Sequence, residues 1–125
     1  MKKLLIVDDH SSIRKVIRLA LRAHFELVEF ADADAAYAYI LNNRPDGIVL
    51  DVMMPGHLNG FQLCEKIKSD PSLATIYVVL VTACGQETDQ LLGQALGADS
   101  YFVKPFSPLA LASHLKDALL TTADL

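Results

Sequence analysis

The chain has 125 residues, 52% of them hydrophobic, and a formal net charge of −4. This length and composition predict one domain, residues 1–125, with a well-filled core. The mildly acidic balance argues against direct nucleic-acid binding, which requires basic patches. No apolar run approaches membrane-spanning length and no signal-peptide pattern opens the chain, so we expect a cytoplasmic protein without membrane contact. Two cysteines without metal-ligand spacing fit reduced thiols.

Short apolar runs alternate along the chain with segments of helical periodicity. An apolar run bounded by turn residues is typical of a buried strand, and apolar residues at i, i+3, i+4 and i+7 are typical of a one-sided helix. The predicted strands are 3–8, 26–30, 47–51, 76–81 and 100–103. Five helices are predicted between and after these strands. The first is capped by Ser11 or Ser12, the second starts at Asp32 or Asp34, and the third starts at Asn59. The fourth spans roughly 86–96, and the fifth begins at Ser107.

The first and fourth helices carry predictions about their buried sides. In the first, Ile13, Val16 and Ile17 share a face that we expect to point inward, with Arg14 and Arg18 on the opposite face. In the fourth, we expect the apolar side chains to belong mostly to the core, with one or two of them free to face a partner on the output surface: Leu91, Leu92, Ala95 and Leu96.

Five strands alternating with five helices indicate an α/β fold, with a parallel sheet and helices on both faces. Right-handed crossovers leave few topologies, and the flavodoxin-like doubly wound strand order 2-1-3-4-5 is the simplest fit. Ligands bind such sheets at the carboxyl ends of the strands, where strands 1 and 3 lie side by side. Polar residues from four strand ends then converge on one crevice: Asp8, Asp9, Asp51, Thr82 and Lys104.

This set of side chains predicts phosphoryl chemistry with a divalent cation. Three crowded carboxylates repel one another unless a cation joins them, and hard oxygen ligands suit Mg²⁺ or Mn²⁺. Asp51 is the best candidate for a nucleophile toward phosphorus, which would yield an aspartyl phosphate. The cation and the Lys104 ammonium would offset the charge of the transferring group, and the Thr82 hydroxyl could donate to one of its oxygens.

Four stretches of the sequence resemble the receiver domain of bacterial two-component response regulators, and the resemblance covers the whole chain. These stretches are Val7-Asp8-Asp9, Asp51-Val52-Met53-Met54-Pro55-Gly56, Val81-Thr82-Ala83 and Gly97-Ala98-Asp99-Ser100-Tyr101-Phe102-Val103-Lys104-Pro105-Phe106. The resemblance implies phosphorelay signalling. It implies a switch that catalyses only its own phosphorylation and slow autodephosphorylation, rather than an enzyme acting on other substrates.

The resemblance also implies roles for residues at the crevice. Asp51 would be the phosphoacceptor, phosphorylated from a sensor histidine kinase or a histidine phosphotransfer protein. Asp8, Asp9 and Asp51 would hold Mg²⁺ together with the backbone carbonyl of Met53. Lys104 would bind the phosphoryl group and precede a cis proline.

Switching, by the same resemblance, would pass from the phosphoryl group to the far end of the sheet. Thr82 would bind the phosphoryl group and shift toward it, and Tyr101 would then turn inward as the aromatic switch. The fourth helix, fifth strand and fifth helix would form the face read by a downstream output domain or protein. The chain would act as a monomer or as a phosphorylation-dependent dimer.

The sequence departs from the family pattern beside the crevice. Pro55 and Gly60 are five positions apart where the family usually has four, so this loop is one residue longer and kinase docking near it is expected to differ. Cys84 and Met53 occupy positions that influence phosphoryl lifetime in the family.

Other functions fit the residues less well. A phosphatase of the haloacid dehalogenase type needs a second aspartate two positions after the nucleophile, where this chain has Met53. A flavodoxin-like cofactor binder needs a phosphate-cradling loop after strand 1, where Asp8 and Asp9 would repel phosphate. A receiver used as a constitutive interaction module would not need the five polar residues. Three further points stay open. Tyr101 could be a plain packing residue, and His10 could have a minor role at the mouth of the crevice. The chain could be a stand-alone receiver or a piece of a longer regulator.

Overall fold

The computed structural model describes residues 1–83 and 87–121, with Glu87 described by its backbone alone. Within these ranges five strands alternate with five helices. The elements are β1 (Lys3–Val7), α1 (Ser11–Leu21), β2 (Glu26–Phe30), α2 (Ala33–Ile40), β3 (Gly47–Asp51), α3 (Gly60–Ser69), β4 (Tyr77–Thr82), α4 (Glu87–Ala95), β5 (Ser100–Val103) and α5 (Pro108–Leu119). Cys84 and the predicted start of the fourth helix at residue 86 lie outside the described residues.

The strands form a single parallel sheet in the order β2-β1-β3-β4-β5, which confirms the predicted flavodoxin-like fold. All strand amino ends lie along one edge of this sheet, here called the amino edge, and all carboxyl ends lie along the other, the carboxyl edge. Val7 is paired with Leu50, so the residues that follow each of them, Asp8 and Asp51, lie at the same level of the carboxyl edge.

The two faces of the sheet carry separate hydrophobic cores because successive strand residues point to opposite sides. In β1, Leu5 and Val7 belong to one core, while Leu4 and Ile6 belong to the other. The first core includes residues of α2 and α3: Ala33, Ala36, Ile40, Leu63, Cys64 and Ile67. The second includes residues of α1 and α5: Ile17, Leu21, Leu111, Ala112 and Leu115. The helices therefore cover both faces, as the alternating elements predict.

Three helices begin at side-chain caps that the sequence indicates, and α1 does not. Asp32 caps α2 by accepting from Ala35 N, and Asn59 forms a capping box with Gln62 at α3. Ser107 caps α5. The predicted serine cap of α1 is wrong, since the residue at the cap position is His10 and it makes no side-chain capping bond.

Helix α1 begins at Ser11, one residue before the position that a Ser11 cap would give it. The backbone N–H of His10 donates to Oδ1 of Asp8 at 2.8 Å, and its carbonyl accepts from Arg14 N at 3.1 Å. The chain therefore turns immediately after the aspartate pair, and Ser11 is already helical.

Several apolar side chains predicted to be buried are exposed. On α4, Leu91 and Leu92 are 56% and 44% exposed, because the buried position between the helix and the sheet is Gly93. A Cβ on Gly93 would lie 3.1 Å from Leu80 Cδ1, so only a small residue lets the helix approach so closely. Val16 on α1 is also exposed and lines a recess of about 300 Å³ with Ile13. In the described part of the chain, no helix is both long and apolar enough to cross a bilayer.

Candidate functional site

Two buried carboxylates lie side by side at the carboxyl edge. Asp51 is the last residue of β3 and Asp8 directly follows β1, and each is only 3% exposed. Asp9 is exposed at the mouth of the crevice. One ligand atom each from Asp8, Asp9, His10 and Asp51 lies within 4.8 Å of the others. Adjacent strand ends therefore bring hard oxygen donors to within the span of one cation.

Lys104 supplies a positive charge to this cluster from the turn after β5. Its Nζ donates to Oδ2 of Asp8 at 2.9 Å and lies 3.6 Å from Oδ2 of Asp51. The peptide bond between Lys104 and Pro105 is cis. Backbone N–H of Lys104 donates to the carbonyl of Thr82 at 2.7 Å, which ties the lysine to the end of β4.

The other oxygen of Asp8 is engaged by His10. Nδ1 of His10 lies 3.0 Å from Oδ1 of Asp8 and 3.2 Å from Oδ1 of Asp9. The imidazole side chain is 60% exposed, so it covers the acidic pair from the solvent side. Both carboxylate oxygens of Asp8 therefore already contact nitrogen atoms of the protein.

Three carboxylates and the ammonium of Lys104 lie together at this edge, and their surroundings shift the pKa values of Asp51 and Lys104. Burial, followed by the charge of Asp8, raises the pKa of Asp51, and these effects exceed the opposing hydrogen bond from Met53 N and the charge of Lys104. Burial alone would lower the pKa of Lys104, but its hydrogen bond to Asp8 and the charges of Asp51 and Asp8 raise it above the usual value. A single ammonium thus does not neutralise the carboxylates around it.

The remaining predicted residues lie around this cluster at different distances. Thr82, the last residue of β4, is buried and precedes Ala83 at the adjoining strand end. Met53 is exposed, and its backbone N–H donates to Oδ1 of Asp51 at 3.2 Å. Tyr101 pairs with Leu80 in the sheet, and its hydroxyl oxygen is buried on the side of α4.

Comparison with known proteins identifies the family. The family model described as response regulator receiver domain matches residues 4–116. This chain belongs to the response regulator receiver family. It is 40% identical over 122 residues to the phosphate regulon transcriptional regulatory protein PhoB of Pseudomonas aeruginosa. The matched residues cover 97% of this chain and 53% of PhoB. The chain therefore spans about half the length of that curated relative.

Solved structures support the same family. A putative response regulator from Chloroflexus aurantiacus J-10-fl superposes with a TM-score of 0.88 at 33% identity, covering 96% of this chain and 98% of the other. Chemotaxis protein CheY4 of Vibrio cholerae superposes with a TM-score of 0.86 at 31% identity, covering 96% and 99%. Receiver domains are signalling switches of two-component systems, and the described part of this chain has their fold.

The receiver has two carboxyl-edge contacts that the sequence pattern did not indicate. Arg14, predicted to face away from the core, donates from Nη1 to the backbone carbonyl of Asp8 at 2.7 Å. Asp34 accepts at Oδ2 from His57 N at 3.1 Å and from Leu58 N at 3.4 Å, so α2 holds the loop after β3. Each contact joins a partly buried helix side chain to the backbone of a neighbouring loop, and no local spacing in the sequence distinguishes such a side chain from a solvated one.

Proposed function

We propose that this receiver accepts a phosphoryl group on Asp51 with a divalent cation bound beside it, and that the modification alters a distant partner-binding face. The observation that carries the proposal is the buried Asp51 carboxylate, whose Oδ2 lies 3.6 Å from Lys104 Nζ within a cluster of two further carboxylates. A nucleophile, a cation site and a fixed ammonium are the components that phosphoryl transfer requires.

The donor atoms at the carboxyl edge fit Mg²⁺, with Mn²⁺ as an alternative. Carboxylates of Asp8, Asp9 and Asp51 are hard oxygen ligands, and the Met53 carbonyl would add a neutral one. The raised pKa of Asp51 indicates that this carboxylate would gain stability from an added positive charge. When bound, the cation would supply charge neutralisation to the phosphoryl oxygens. His10 would have to leave its position over Asp8 and Asp9 or share the cation with them.

The transfer itself needs only one bond made and one broken. A carboxylate oxygen of Asp51 forms the new bond to phosphorus as the phosphorus–nitrogen bond of a donor phosphohistidine breaks. The electron pair of that bond stays on the ring nitrogen, and the ring, already protonated at its other nitrogen, leaves as neutral imidazole. The Met53 N–H holds Oδ1 of Asp51, which fixes the carboxylate plane. Lys104, which contacts both Asp8 and Asp51, offsets the charge gathered on the transferring group.

The added group would be read through Thr82 and Tyr101. A phosphoryl group brings about two negative charges and new acceptor oxygens, so the Thr82 hydroxyl and Lys104 gain a partner on the same side of the sheet. Tyr101 lies one strand further on, beside Gly93 of α4. A shift at Thr82 would therefore change the space available to the Tyr101 ring and bias a two-state element.

The partner-binding face would be formed by α4, β5 and α5. Leu91 and Leu92 on α4 and Leu109 on α5 are exposed large apolar residues. Such a surface fits a downstream output domain or protein, while the phosphoryl donor is a sensor histidine kinase or histidine phosphotransfer protein. The net charge of −4 gives no support for direct nucleic-acid contact by this chain.

The test is intact-protein mass after incubation with acetyl phosphate and Mg²⁺. Wild type is expected to gain one phosphoryl group, and Asp51→Asn to gain none. Asp46→Asn is the matched control, because Asp46 precedes the same strand at the amino edge and should leave phosphorylation unchanged. Chelator should abolish the adduct. An adduct that persists in Asp51→Asn, or none in wild type with Mg²⁺ bound, would contradict the proposal and favour a constitutive interaction module.

A further inference from the structure

Arg14 connects three elements just behind the acidic cluster. It lies in α1, and its side chain is 19% exposed. Nη1 donates to the backbone carbonyl of Asp8 at 2.7 Å, and Nε lies 3.3 Å from Oε1 of Glu29 in β2. One planar group thus bridges the end of β1 and a side chain of the neighbouring strand.

The carbonyl that Arg14 contacts lies where the backbone leaves the sheet after β1. The N–H of Asp8 still donates to Phe30 O at 3.1 Å, while Val7 is the last paired residue of β1. Beyond that point the main chain leaves the sheet and turns into α1 within three residues. The direction of the Asp8 carbonyl fixes the peptide plane between Asp8 and Asp9, and hence the directions in which both carboxylates leave the backbone.

We propose that Arg14, oriented by Glu29, is a positioning residue that sets the Asp8–Asp9 peptide plane and thereby the geometry of the cation site. This inference rests on the proposed function, because it assigns Arg14 a role in the same site. Arg14 acts on the main chain rather than on the cation, since it donates to the Asp8 carbonyl and pairs with Glu29.

The geometry requires an arginine at this position. Arg14 reaches the Asp8 carbonyl and Glu29 with two different nitrogens, Nη1 and Nε, which the planar guanidinium holds in fixed directions. Lysine at residue 14 would keep the positive charge, but its single nitrogen would not occupy both of these positions. Loss of the bridge and loss of the charge are therefore separable.

Arg18 is a natural control for Arg14. It lies one turn further along α1, and its Nη1 donates to Oε2 of the same Glu29 at 2.6 Å. Both arginines thus lie on the same face of α1 and pair with the same carboxylate of β2. Arg14 also donates to the Asp8 carbonyl. A purely electrostatic or structural effect of the Glu29 cluster would appear in variants of either arginine.

The experiment is the binding of Mn²⁺ to the metal-free protein, measured by the electron paramagnetic resonance signal of the free ion. Outer contacts of metal ligands typically change affinity by about 10- to 100-fold, so we expect Arg14→Lys and Arg14→Gln to weaken binding about tenfold. Arg18→Gln should change it by less than about twofold, because Arg18 does not hold the main chain. Removing a positive charge near a cation site would by itself tighten binding, so weakening in Arg14→Gln has the opposite sign to a charge effect.

Backbone amide signals of Asp9 and His10 in chelator provide a second readout without metal. They should shift in Arg14→Lys, which retains the charge, and stay near their wild-type positions in Arg18→Gln. Wild-type Mn²⁺ affinity in Arg14→Lys, or equal weakening in Arg14→Gln and Arg18→Gln, would overturn the inference while leaving the proposed function intact. Failure of the wild type to bind Mn²⁺ would overturn both.

Discussion

The two edges of the sheet use similar charged side chains in opposite ways. At the amino edge, Lys68 Nζ contacts Oδ2 of Asp99 at 2.8 Å and donates to the carbonyls of Ala74 and Ile76 at 3.0 and 2.7 Å. The same Asp99 oxygen accepts from Val78 N at 2.8 Å. The three protons of this ammonium thus have three protein acceptors, and the pair of charges is balanced.

At the carboxyl edge the charges are not balanced. Asp8, Asp9 and Asp51 lie close to one ammonium, that of Lys104, and burial together with the charge of Asp8 raises the pKa of Asp51. Lys104 Nζ is 2.9 Å from Asp8 but 3.6 Å from Asp51, so it pairs well with only one of them.

The comparison indicates what each edge is built for. Charged groups that satisfy one another stabilise a fold, because removing one partner leaves a buried group without its bond. Charged groups that remain in excess cost stability until a ligand compensates them, and such sites are often functional. Variants at the two edges should therefore change stability in opposite directions.

The largest effect is expected at the amino edge. Lys68→Met removes three hydrogen-bond donors from a site that is 14% exposed, and leaves two carbonyls and Asp99 without them. We expect a loss of about 2–3 kcal/mol in the free energy of unfolding, measured by urea denaturation, because hydrogen bonds to charged groups contribute on this scale.

Lys66→Met is the control for this loss. Lys66 is on the same helix but exposed, and its Nζ lies over the face of the Tyr37 ring, 5.4 Å from the ring centroid. It should change stability by less than about 0.5 kcal/mol. Equal losses in the two variants would show that the amino-edge network is not specifically stabilising.

A smaller effect of opposite sign is expected at the carboxyl edge. In chelator, Asp51→Asn removes one of the buried like charges while keeping the shape of the side chain. We expect a gain of about 1 kcal/mol in the free energy of unfolding, a typical size for a single substitution. A loss of stability in Asp51→Asn without metal would contradict the claim that negative charge is in excess at the carboxyl edge.

The pH dependence of that gain has a definite sign. Because the pKa of Asp51 is raised in the folded protein, the folded state keeps this proton after the unfolded chain has lost its own at about 3.8. The free energy of unfolding therefore falls as the pH rises from 3.8 through the folded pKa. The advantage of Asp51→Asn over wild type should grow over this window in chelator, and a constant difference would argue against it.

The smallest change concerns a thiol beside the amino-edge network. Burial, opposed in part by the charge of Lys68, raises the pKa of Cys64 to about 11. In a Cys84→Ser background, we expect Cys64 to react with a disulfide reagent at pH 8 far more slowly than after denaturation. Lys68→Met should accelerate the reaction by exposing the folded thiol more often. Rapid labelling of the folded background protein would show that this edge is open.

Much of the fold follows from local patterns, and the exceptions have tertiary causes. Uninterrupted runs such as Ile48-Val49-Leu50 predict buried parallel strands, and capping residues such as Asn59 and Ser107 predict where helices begin. The expectation that the apolar side chains of α4 are mostly core was wrong, since Leu91, Leu92 and Ala95 are all exposed. Helical periodicity identifies an apolar stripe but does not reveal that Gly93 is what lies against the sheet.

The candidate site divides in a similar way. Parallel strands bring their carboxyl ends together, so the approach of Asp8, Asp51 and Lys104 could be expected from position alone, whereas their functional roles stay predictions. The contacts of Arg14 and Asp34 were missed because each joins a helix side chain to the backbone of a separate loop at the carboxyl edge. No propensity or spacing rule distinguishes such a side chain from a solvated one.

The most direct test of the unbalanced edge is thermal unfolding of wild type and Asp51→Asn in chelator and in Mg²⁺. Mg²⁺ at ten times its dissociation constant should stabilise the wild type by about 1.4 kcal/mol. It should stabilise Asp51→Asn less, because one ligand has lost its charge. The two proteins would then converge or exchange order between the two conditions. A wild-type midpoint that Mg²⁺ leaves unchanged, with Asp51→Asn no more stable than wild type in chelator, would contradict the account.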